Sequence, residues 1–178
     1  VLIEGAMELV HQKMPKRSAS LKMKGLKKSI ELAHQFGITS FHDAYLNREF
    51  LEIYRALEKQ GGLNIEVSGG LYADSNLPLS QITNLVRLRQ EFESDRIRLK
   101  TIKVFMDGVL EDQTAALLEP YLGHENSPDP VARGSIQWDL DQLKELGKLA
   151  FNNQFNLHFH AIGDRAVREA LNVVESAR

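Results

Sequence analysis

The sequence contains no cysteine, and this absence excludes two kinds of site. Disulfide bonds and thiolate metal sites both need cysteine, so a metal ion must be bound by histidine, carboxylate or modified lysine side chains. The sequence also lacks an apolar run long enough to span a bilayer, and Glu4 and Glu8 interrupt residues 1–10 in a way that signal peptides do not show. We therefore expect a cytoplasmic protein with no membrane partner.

A strong excess of either charge is missing as well. Lys and Arg number 22 against 24 Asp and Glu, which gives a formal net charge of −2. Proteins that bind nucleic acid through its phosphates carry a basic surface, so we expect no nucleic-acid partner. The remaining composition, 43% hydrophobic and 26% charged in 178 residues, is typical of a globular protein with one sizeable core. We expect a single domain over residues 1–178.

Helical and strand-like segments alternate along the chain. Strands are predicted at residues 38–43, 63–72, 97–108 and 155–162. Helices are predicted at residues 21–36, after Asn47, after Pro78, after Asp139 and from Asp164. Asp139 with Gln142 resembles a capping box. Residues 109–134 hold three of the five prolines and no sustained period, which indicates a long loop with one turn of helix at most.

This alternation predicts an α/β fold. Strands separated by helices form βαβ units with a parallel sheet, and right-handed crossovers place the helices outside. Two closures remain open, a doubly wound open sheet and part of a (β/α)8 barrel. The first strand is not followed by Gly-x-Gly-x-x-Gly, which counts against a dinucleotide-binding sheet.

Side-chain alternation along the last two strands separates polar from apolar residues. On the third strand, Lys103 and Asp107 share a face opposite an apolar face, and on the fourth strand His158 and His160 do the same. In a barrel, both polar sets face inward, and active sites lie at the carboxyl ends of the strands. These residues are therefore the candidates for chemistry.

Lys103 is the most informative candidate, because a lysine that points into a barrel loses its hydration. One interpretation is an ion pair with a carboxylate such as Asp107. Another is a desolvated amine whose lowered pKa lets it act as a base, or react with carbon dioxide to form a carbamate that bridges two metal ions. A third hypothesis is a metal-free lyase or isomerase, in which Lys103 forms a Schiff base and His160 moves protons.

The other polar residues also allow two interpretations each. For His158, which lies deeper in its strand, hydrogen-bonded packing is the preferred interpretation. For His160, at the rim, a role as ligand or acid–base group fits at least as well as packing. Asp164 caps the last helix or orients a neighbouring imidazole, and capping is the simpler role. On the first strand, His42 and Asp43 lie on opposite faces, and the sequence leaves open which of them faces inward.

Three segments resemble the third amidohydrolase family, a branch of the metal-dependent amidohydrolase superfamily that includes N-substituted formamide deformylases. They are GITSFHDA (37–44), IKVFMDGVLEDQTAALLEPY (102–121) and HFHAIGDRAVREAL (158–171). The K-x-F-x-D-G and H-A-I-G-D-R-A cores are both intact. The opening VLIEGAMELV is similar to the segment that precedes these strands in the family, so the resemblance covers nearly the whole chain.

The resemblance implies a (β/α)8 hydrolase barrel in which a divalent metal, with zinc as the expected ion, activates water to attack an amide or related C–N bond of a small-molecule substrate. It implies that Lys103 is the strand-end lysine, open to carbamylation and metal bridging. It implies that His160 is the metal-ligand histidine of the following strand. Asp107 and Asp164, together with Gly108, are implied as the catalytic-site residues that support and shape the centre.

The sequence also departs from the family pattern. The family's first barrel strand carries a His-x-His pair, and none precedes residue 37 here. A full barrel needs about 250 residues, and only four strands are predicted. We therefore expect a central fragment, truncated at both ends, with weak metal affinity and little activity of its own. Its exposed sheet edges favour a homo-oligomer. The alternative is a natural non-catalytic α/β domain that uses the groove for binding or assembly.

Overall fold

The computed structural model describes residues 7–126, residue 128 and residues 130–177, so the opening VLIEGA of the family resemblance lies outside the described residues. The helices of the described chain are α1 (Glu8–His11), α2 (Ala19–Gln35), α3 (Arg48–Lys59), α4 (Gln81–Phe92), α5 (Leu140–Asn152) and α6 (Asp164–Ser176). The strands are β1 (Ser40–Leu46), β2 (Glu66–Tyr72), β3 (Ile97–Phe105) and β4 (Asn156–His160). In its described residues, the long segment between β3 and α5 is a loop with one 3-10 turn, Pro130–Arg133, as the sequence predicts.

Polar side chains begin three of the helices. Ser18, Asn47 and Asp139 each accept a hydrogen bond from the backbone N–H three residues later, at 3.2, 3.2 and 2.8 Å. The Gln142 side chain donates to the Leu77 carbonyl at 3.5 Å, so the contact seen at Asp139 is one half of the expected capping box. None of the helices in the described ranges has both the length and the apolar character needed to cross a bilayer.

The four strands form one parallel sheet in the order β1-β2-β3-β4. Strands that follow one another in the chain are therefore neighbours in space, and the segments between them are crossovers that contain the helices. The prediction of an α/β fold built from parallel βα units is confirmed.

The sheet curls so that its inner face is concave. Neighbouring strands are about 4.8 Å apart and side chains stand upright on a sheet, so β1 and β4 would be about 14 Å apart in a flat arrangement. However, Nε2 of His42 on β1 lies only 3.1 Å from Nδ1 of His158 on β4. The strands thus line a hollow, and the described chain supplies one part of the wall of a barrel.

The outer face of the sheet packs under the helices. Ile102, Val104 and Met106 of the β3 segment are fully buried, and they join a core that includes Leu57 of α3 and Leu146 of α5. Apolar side chains at alternate positions thus cover the helix-facing side, as the alternation along this strand predicts.

Three strands end at residues that differ from the prediction, and β3 ends at Phe105 instead of residue 108. β1 continues past its predicted end, because Leu46 still pairs with Leu71 after an irregularity in the register. β4 ends early at His160, because the backbone N–H of Ile162 donates to the Asp107 carboxylate instead of continuing the strand. Compared with the prediction, β1 therefore ends three residues later and β4 ends two residues earlier.

The turn between β4 and α6 lies directly against the loop that follows β3. The carbonyl oxygen of Ala116 in that loop accepts backbone N–H groups from Arg165 and Ala166 at 3.1 and 3.3 Å. A Cβ atom on Gly163 would overlap this same carbonyl group. Because the φ of Gly163 is an ordinary −75°, the close approach of the two backbones, and not the dihedral angle, requires glycine here.

We expect Gly163→Ala to lower the free energy of unfolding by about 1–3 kcal/mol, because the added methyl group must displace the loop at Ala116. Urea unfolding followed by circular dichroism measures the change. Gly25→Ala is the matched control: Gly25 lies inside α2 with no atom within 4 Å of its Cβ position. This variant should gain roughly 0.5–1 kcal/mol from helix propensity. An unchanged urea midpoint for Gly163→Ala would show that the two backbones are not in contact.

Candidate active site

Inward-facing side chains from neighbouring strands meet inside the hollow. The parallel register places Lys103 beside His158 and Phe105 beside His160. The Lys103 amino group lies 4.7 Å from the centre of the Phe105 ring, and the centre of the His160 ring lies 5.3 Å from the same ring. Lys103 and His160 therefore converge at the carboxyl ends of β3 and β4, the end at which barrel enzymes place their active sites.

Lys103 is buried, with 6% of its surface exposed. Within residues 7–126 and 130–177 it forms no ion pair, so the interpretation that pairs it with Asp107 does not describe the structure. Burial lowers the pKa of Lys103 below its ordinary value. A lysine of this kind gives up its proton more readily, which is the condition for acting as a base or forming a carbamate.

His42 faces the hollow, which answers the question that the sequence left open on β1. Its Nδ1 lies 3.1 Å from the Ser68 hydroxyl, and its Nε2 lies 3.1 Å from Nδ1 of His158. Asp43 faces the other way, where its carboxylate accepts the hydroxyl of Tyr54 on α3 at 2.9 Å. His42 and Ser68 thus join the floor of the site, and the sequence alone did not select them.

His158 is packed among polar neighbours, in line with its expected role as a hydrogen-bonded residue. Burial, followed by the charges of Lys103, His42 and His160, lowers the pKa of His158. The hydrogen bond to His42 and the low pKa both favour a neutral ring. His158 therefore contributes a fixed polar contact between β1 and β4.

His160 is held in one orientation by the backbone. Its Nε2 lies 2.9 Å from the Gly108 carbonyl oxygen, to which it donates a hydrogen bond. In a neutral imidazole the other nitrogen then carries the lone pair, so Nδ1 is left as the potential ligand or base. Donation from one ring nitrogen to a backbone carbonyl is the usual support of a metal-binding histidine.

Asp107 is almost completely buried, with 1% of its surface exposed. Its carboxylate accepts the backbone N–H groups of Ala116, Ile162 and Gly163 at 2.8, 3.0 and 2.8 Å. Both oxygens are therefore engaged with the loop after β3 and the turn after β4. These contacts are those of a positioning residue that fixes the edge of the site.

Asp164 lies at the first position of α6, next to this turn. Its Oδ1 accepts the backbone N–H of Leu118 at 2.8 Å and that of Arg165 at 2.9 Å. Gly163 occupies the N-cap position, so the side chain of Asp164 ties the helix start to the loop after β3 instead of closing the helix as a cap. Its catalytic role stays a prediction.

Three aromatic side chains line the upper edge of the hollow, and we call Tyr45, Tyr72 and Phe105 the aromatic arc. The Tyr45 and Tyr72 ring centres are 4.9 Å apart, those of Tyr72 and Phe105 are 5.9 Å apart, and those of Tyr45 and Phe105 are 6.2 Å apart. The sequence analysis missed both tyrosines, although each lies near the carboxyl end of a predicted strand.

One cavity among the described residues lies away from the hollow. It has a volume of about 770 Å³ between α2 and α3, and its lining includes Lys24, Lys28, Phe50 and Tyr54. Tyr54 contacts Asp43 on the outer side of β1, so this cavity is separated from the hollow by the sheet. The candidate site is a concave surface rather than an enclosed cavity, because the curled sheet is open on one side.

The residues of the hollow fit part of a metal site. The free Nδ1 of His160 and the amine of Lys103, once modified, are suitable donors. In the part of the chain that the structure describes, no three His, Asp or Glu side chains are grouped to hold a metal ion. Further ligands would have to come from outside these strands. Together, the fold and the site define a parallel α/β protein of the barrel type with nitrogen donors at its strand ends.

Comparison with known proteins identifies the family. The model of the amidohydrolase family matches residues 1–178, and the chain belongs to this family. The exoenzymes regulatory protein AepA of Pectobacterium carotovorum subsp. carotovorum is 28% identical over 116 residues, which cover 65% of this chain and 23% of that protein. The putative amidohydrolase YtcJ of Bacillus subtilis (strain 168) is 34% identical over 79 residues, which cover 44% of this chain and 14% of that protein.

Two solved structures share the fold. They are uncharacterized metal-dependent hydrolases from Pyrococcus furiosus and Pyrococcus horikoshii OT3, with TM-scores of 0.70 and 0.73 and 24% sequence identity each. Each comparison covers 97% of this chain and 34% of the solved chain. The chain thus spans about a third of the solved structures and less than a quarter of the curated relatives.

We expect Asp107→Asn to destabilise the chain by about 2–4 kcal/mol, because an amide group presents N–H donors where the buried backbone N–H groups need an acceptor. Urea unfolding measures the loss. Asp112→Asn is the control, since Asp112 is exposed in the same loop, and it should change stability by less than about 0.5 kcal/mol. Equal stability of the two variants would mean that the Asp107 contacts do not hold the loop.

The lowered pKa of Lys103 predicts that the stability of the chain depends on pH. Between this lowered pKa and the ordinary value of 10.5, the unfolded chain binds more protons than the folded chain, so wild-type stability rises with pH in that window. We expect Lys103→Met to be more stable than wild type at pH 7, with a difference that narrows toward pH 10.5. Urea unfolding across this range, in buffer free of carbon dioxide, measures both.

The control for this expectation is Lys100→Met, because Lys100 is exposed on the same strand. It should differ from wild type by less than about 0.5 kcal/mol at every pH. A Lys103→Met variant that is less stable than wild type at pH 7, or a difference that stays constant with pH, would show that the amine is fully solvated.

Proposed function

We propose that this chain is the central part of a metal-dependent hydrolase that cleaves an amide or related C–N bond of a small molecule. The observation that carries the proposal is the convergence of Lys103 and His160 on one hollow at the carboxyl ends of neighbouring strands. Membership of the amidohydrolase family supports it. The names of the two Pyrococcus proteins, metal-dependent hydrolases, and of the Bacillus relative, a putative amidohydrolase, support it as well.

Each side chain has a part in this proposal. The buried Lys103 amine, made easier to deprotonate by burial, is the group that takes up carbon dioxide to give a carbamate with two ligand oxygens. His160 offers Nδ1 while Gly108 fixes its ring. Asp107 and Asp164 hold the surrounding loop and turn in position. A divalent metal, with zinc preferred for its affinity for imidazole and carboxylate ligands, would supply water activation and carbonyl polarisation when bound.

We further propose that the full activity needs strands beyond the four described here. A (β/α)8 barrel has eight strands, and the solved structures that share the fold are about three times as long as this chain. The remaining strands would close the hollow and provide the missing metal ligands. This assigns weak metal binding and little hydrolase activity to the 178 residues alone.

A non-catalytic role in binding or regulation is the second candidate function. It is favoured by one comparison, since the Pectobacterium relative is named as a regulatory protein and matches 65% of this chain. The two candidates differ in their need for metal. A regulatory domain that only binds a ligand would keep its function when Lys103 and His160 are replaced.

The experiment measures zinc in a longer protein that contains these 178 residues. We expect Lys103→Ala and His160→Asn each to lower bound zinc at least about tenfold, because each removes a ligand, while the exposed His34→Asn leaves it unchanged. Calorimetric titration of the 178-residue chain should show only weak binding. Tight one-to-one binding by this chain, or unchanged zinc content in both site variants, would contradict the proposed ligands.

A further inference from the structure

The aromatic arc is a continuous aromatic surface beside the candidate site. Its members come from three consecutive strands, with Tyr45 on β1, Tyr72 on β2 and Phe105 on β3. The Phe105 ring is also the one that both Lys103 and His160 contact, at 4.7 and 5.3 Å from its centre. The arc therefore begins at the proposed reacting groups and extends away from them across the sheet.

The described chain leaves the arc partly uncovered. Tyr45 is 44% exposed, and Tyr72 and Phe105 are half-buried. Within the described ranges, neither tyrosine hydroxyl has a hydrogen-bond partner, whereas the buried Tyr54 hydroxyl on the outer face is paired with Asp43. The inner tyrosines thus present their rings to the hollow.

We propose that Tyr45, Tyr72 and Phe105 form a binding subsite for a planar aromatic group of the substrate, adjacent to the bond that is cleaved at Lys103 and His160. This assignment rests on the proposed hydrolase function and specifies its substrate class: carboxamides, or related C–N compounds, that carry an aromatic ring next to the scissile group.

The ring geometry favours an aromatic ligand over an aliphatic one. The three pairs within the arc are inclined by 41°, 57° and 64°, so the arc offers both ring faces and ring edges. Aromatic ligands gain from faces and edges together through the opposite charges of ring face and ring rim, and a saturated ring of equal size does not.

The charge of the arc favours a neutral ligand. Burial, together with the nearby charge of Asp74, raises the pKa of Tyr72 to about 12, so its hydroxyl stays protonated and uncharged at neutral pH. The Lys103 amine already lies over the Phe105 ring, 4.7 Å from its centre. A neutral aromatic group next to the scissile amide meets these conditions.

The test titrates a longer protein that contains these 178 residues, labelled with ¹³C in its Tyr and Phe rings, with benzamide or with cyclohexanecarboxamide in the presence of EDTA. We expect benzamide to shift the ring signals of Tyr45, Tyr72 and Phe105 in a saturable manner, with an affinity about three- to tenfold higher than that of the saturated analogue. Tyr45→Leu and Tyr72→Leu should each weaken benzamide binding about three- to tenfold.

Two variants separate the arc from general effects. Tyr72→Phe keeps the ring and should retain the benzamide affinity within about twofold, since stacking and not the hydroxyl carries the binding. Phe36→Leu removes an aromatic ring that is 76% exposed directly after α2, and it should leave the affinity unchanged. Because Tyr45 is more exposed than Tyr72, Tyr45→Leu reports on the arc even where Tyr72→Leu fails to fold.

Equal affinities for the two carboxamides, shifts that leave out Tyr45 and Tyr72, or an equal loss in Phe36→Leu would overturn the subsite. The measurement needs no metal and no turnover, so it is independent of the zinc experiment. Selective benzamide binding together with unchanged zinc in the site variants would retain the aromatic subsite and reject the hydrolase. The reverse pair of results would reject the subsite alone.

Discussion

The geometry of the site depends on one buried carboxylate and the three backbone N–H groups that it accepts. Asp107 follows β3, and two of its donors, Ile162 and Gly163, begin the turn after β4. A carboxylate removed from water is unfavourable unless its lone pairs are occupied, so the three donors are restrained together. Lys103 precedes Asp107 by four residues on the β3 side, and His160 precedes Ile162 by two residues on the β4 side. The contact thereby sets the relative height of the two strand ends that carry the proposed chemistry.

The sequence was sufficient where one strand alternates cleanly between polar and apolar residues. On β3 and β4 this alternation correctly placed Lys103 and His160 on the inner face, because their neighbours along the strand are apolar. On β1, adjacent His42 and Asp43 are both polar, so alternation defines no inner side. The hydroxyl of Tyr54 on α3 donates a hydrogen bond to Asp43 on the outer face, and this contact leaves His42 on the inner face. Contacts between distant segments carry no such local pattern, which is why the donors to Asp107 and the aromatic arc were not predicted.

Several of the side chains that line the hollow carry basic nitrogen atoms. Lys103, His42, His158 and His160 all point into it, and the ion pairs of the described ranges lie outside it. Burial without a counter-charge favours the neutral form of an amine or imidazole, and the pKa of both Lys103 and His158 is lowered accordingly. Neutral nitrogen is the form that binds metal or reacts with carbon dioxide. The cost of burying these groups is thus the same feature that prepares them for the proposed function.

The chain order of the sheet also has a kinetic consequence. β1, β2 and β3 follow one another through single-helix crossovers, whereas β4 is separated from β3 by the long loop and α5, residues 106–155. Closing the longer connection costs more chain entropy before any strand pairing offsets it, so the topology favours docking of β4 after the other three strands have paired. During that interval the edge of β3 exposes unpaired backbone groups, and nascent chains are then most prone to pair with one another and aggregate.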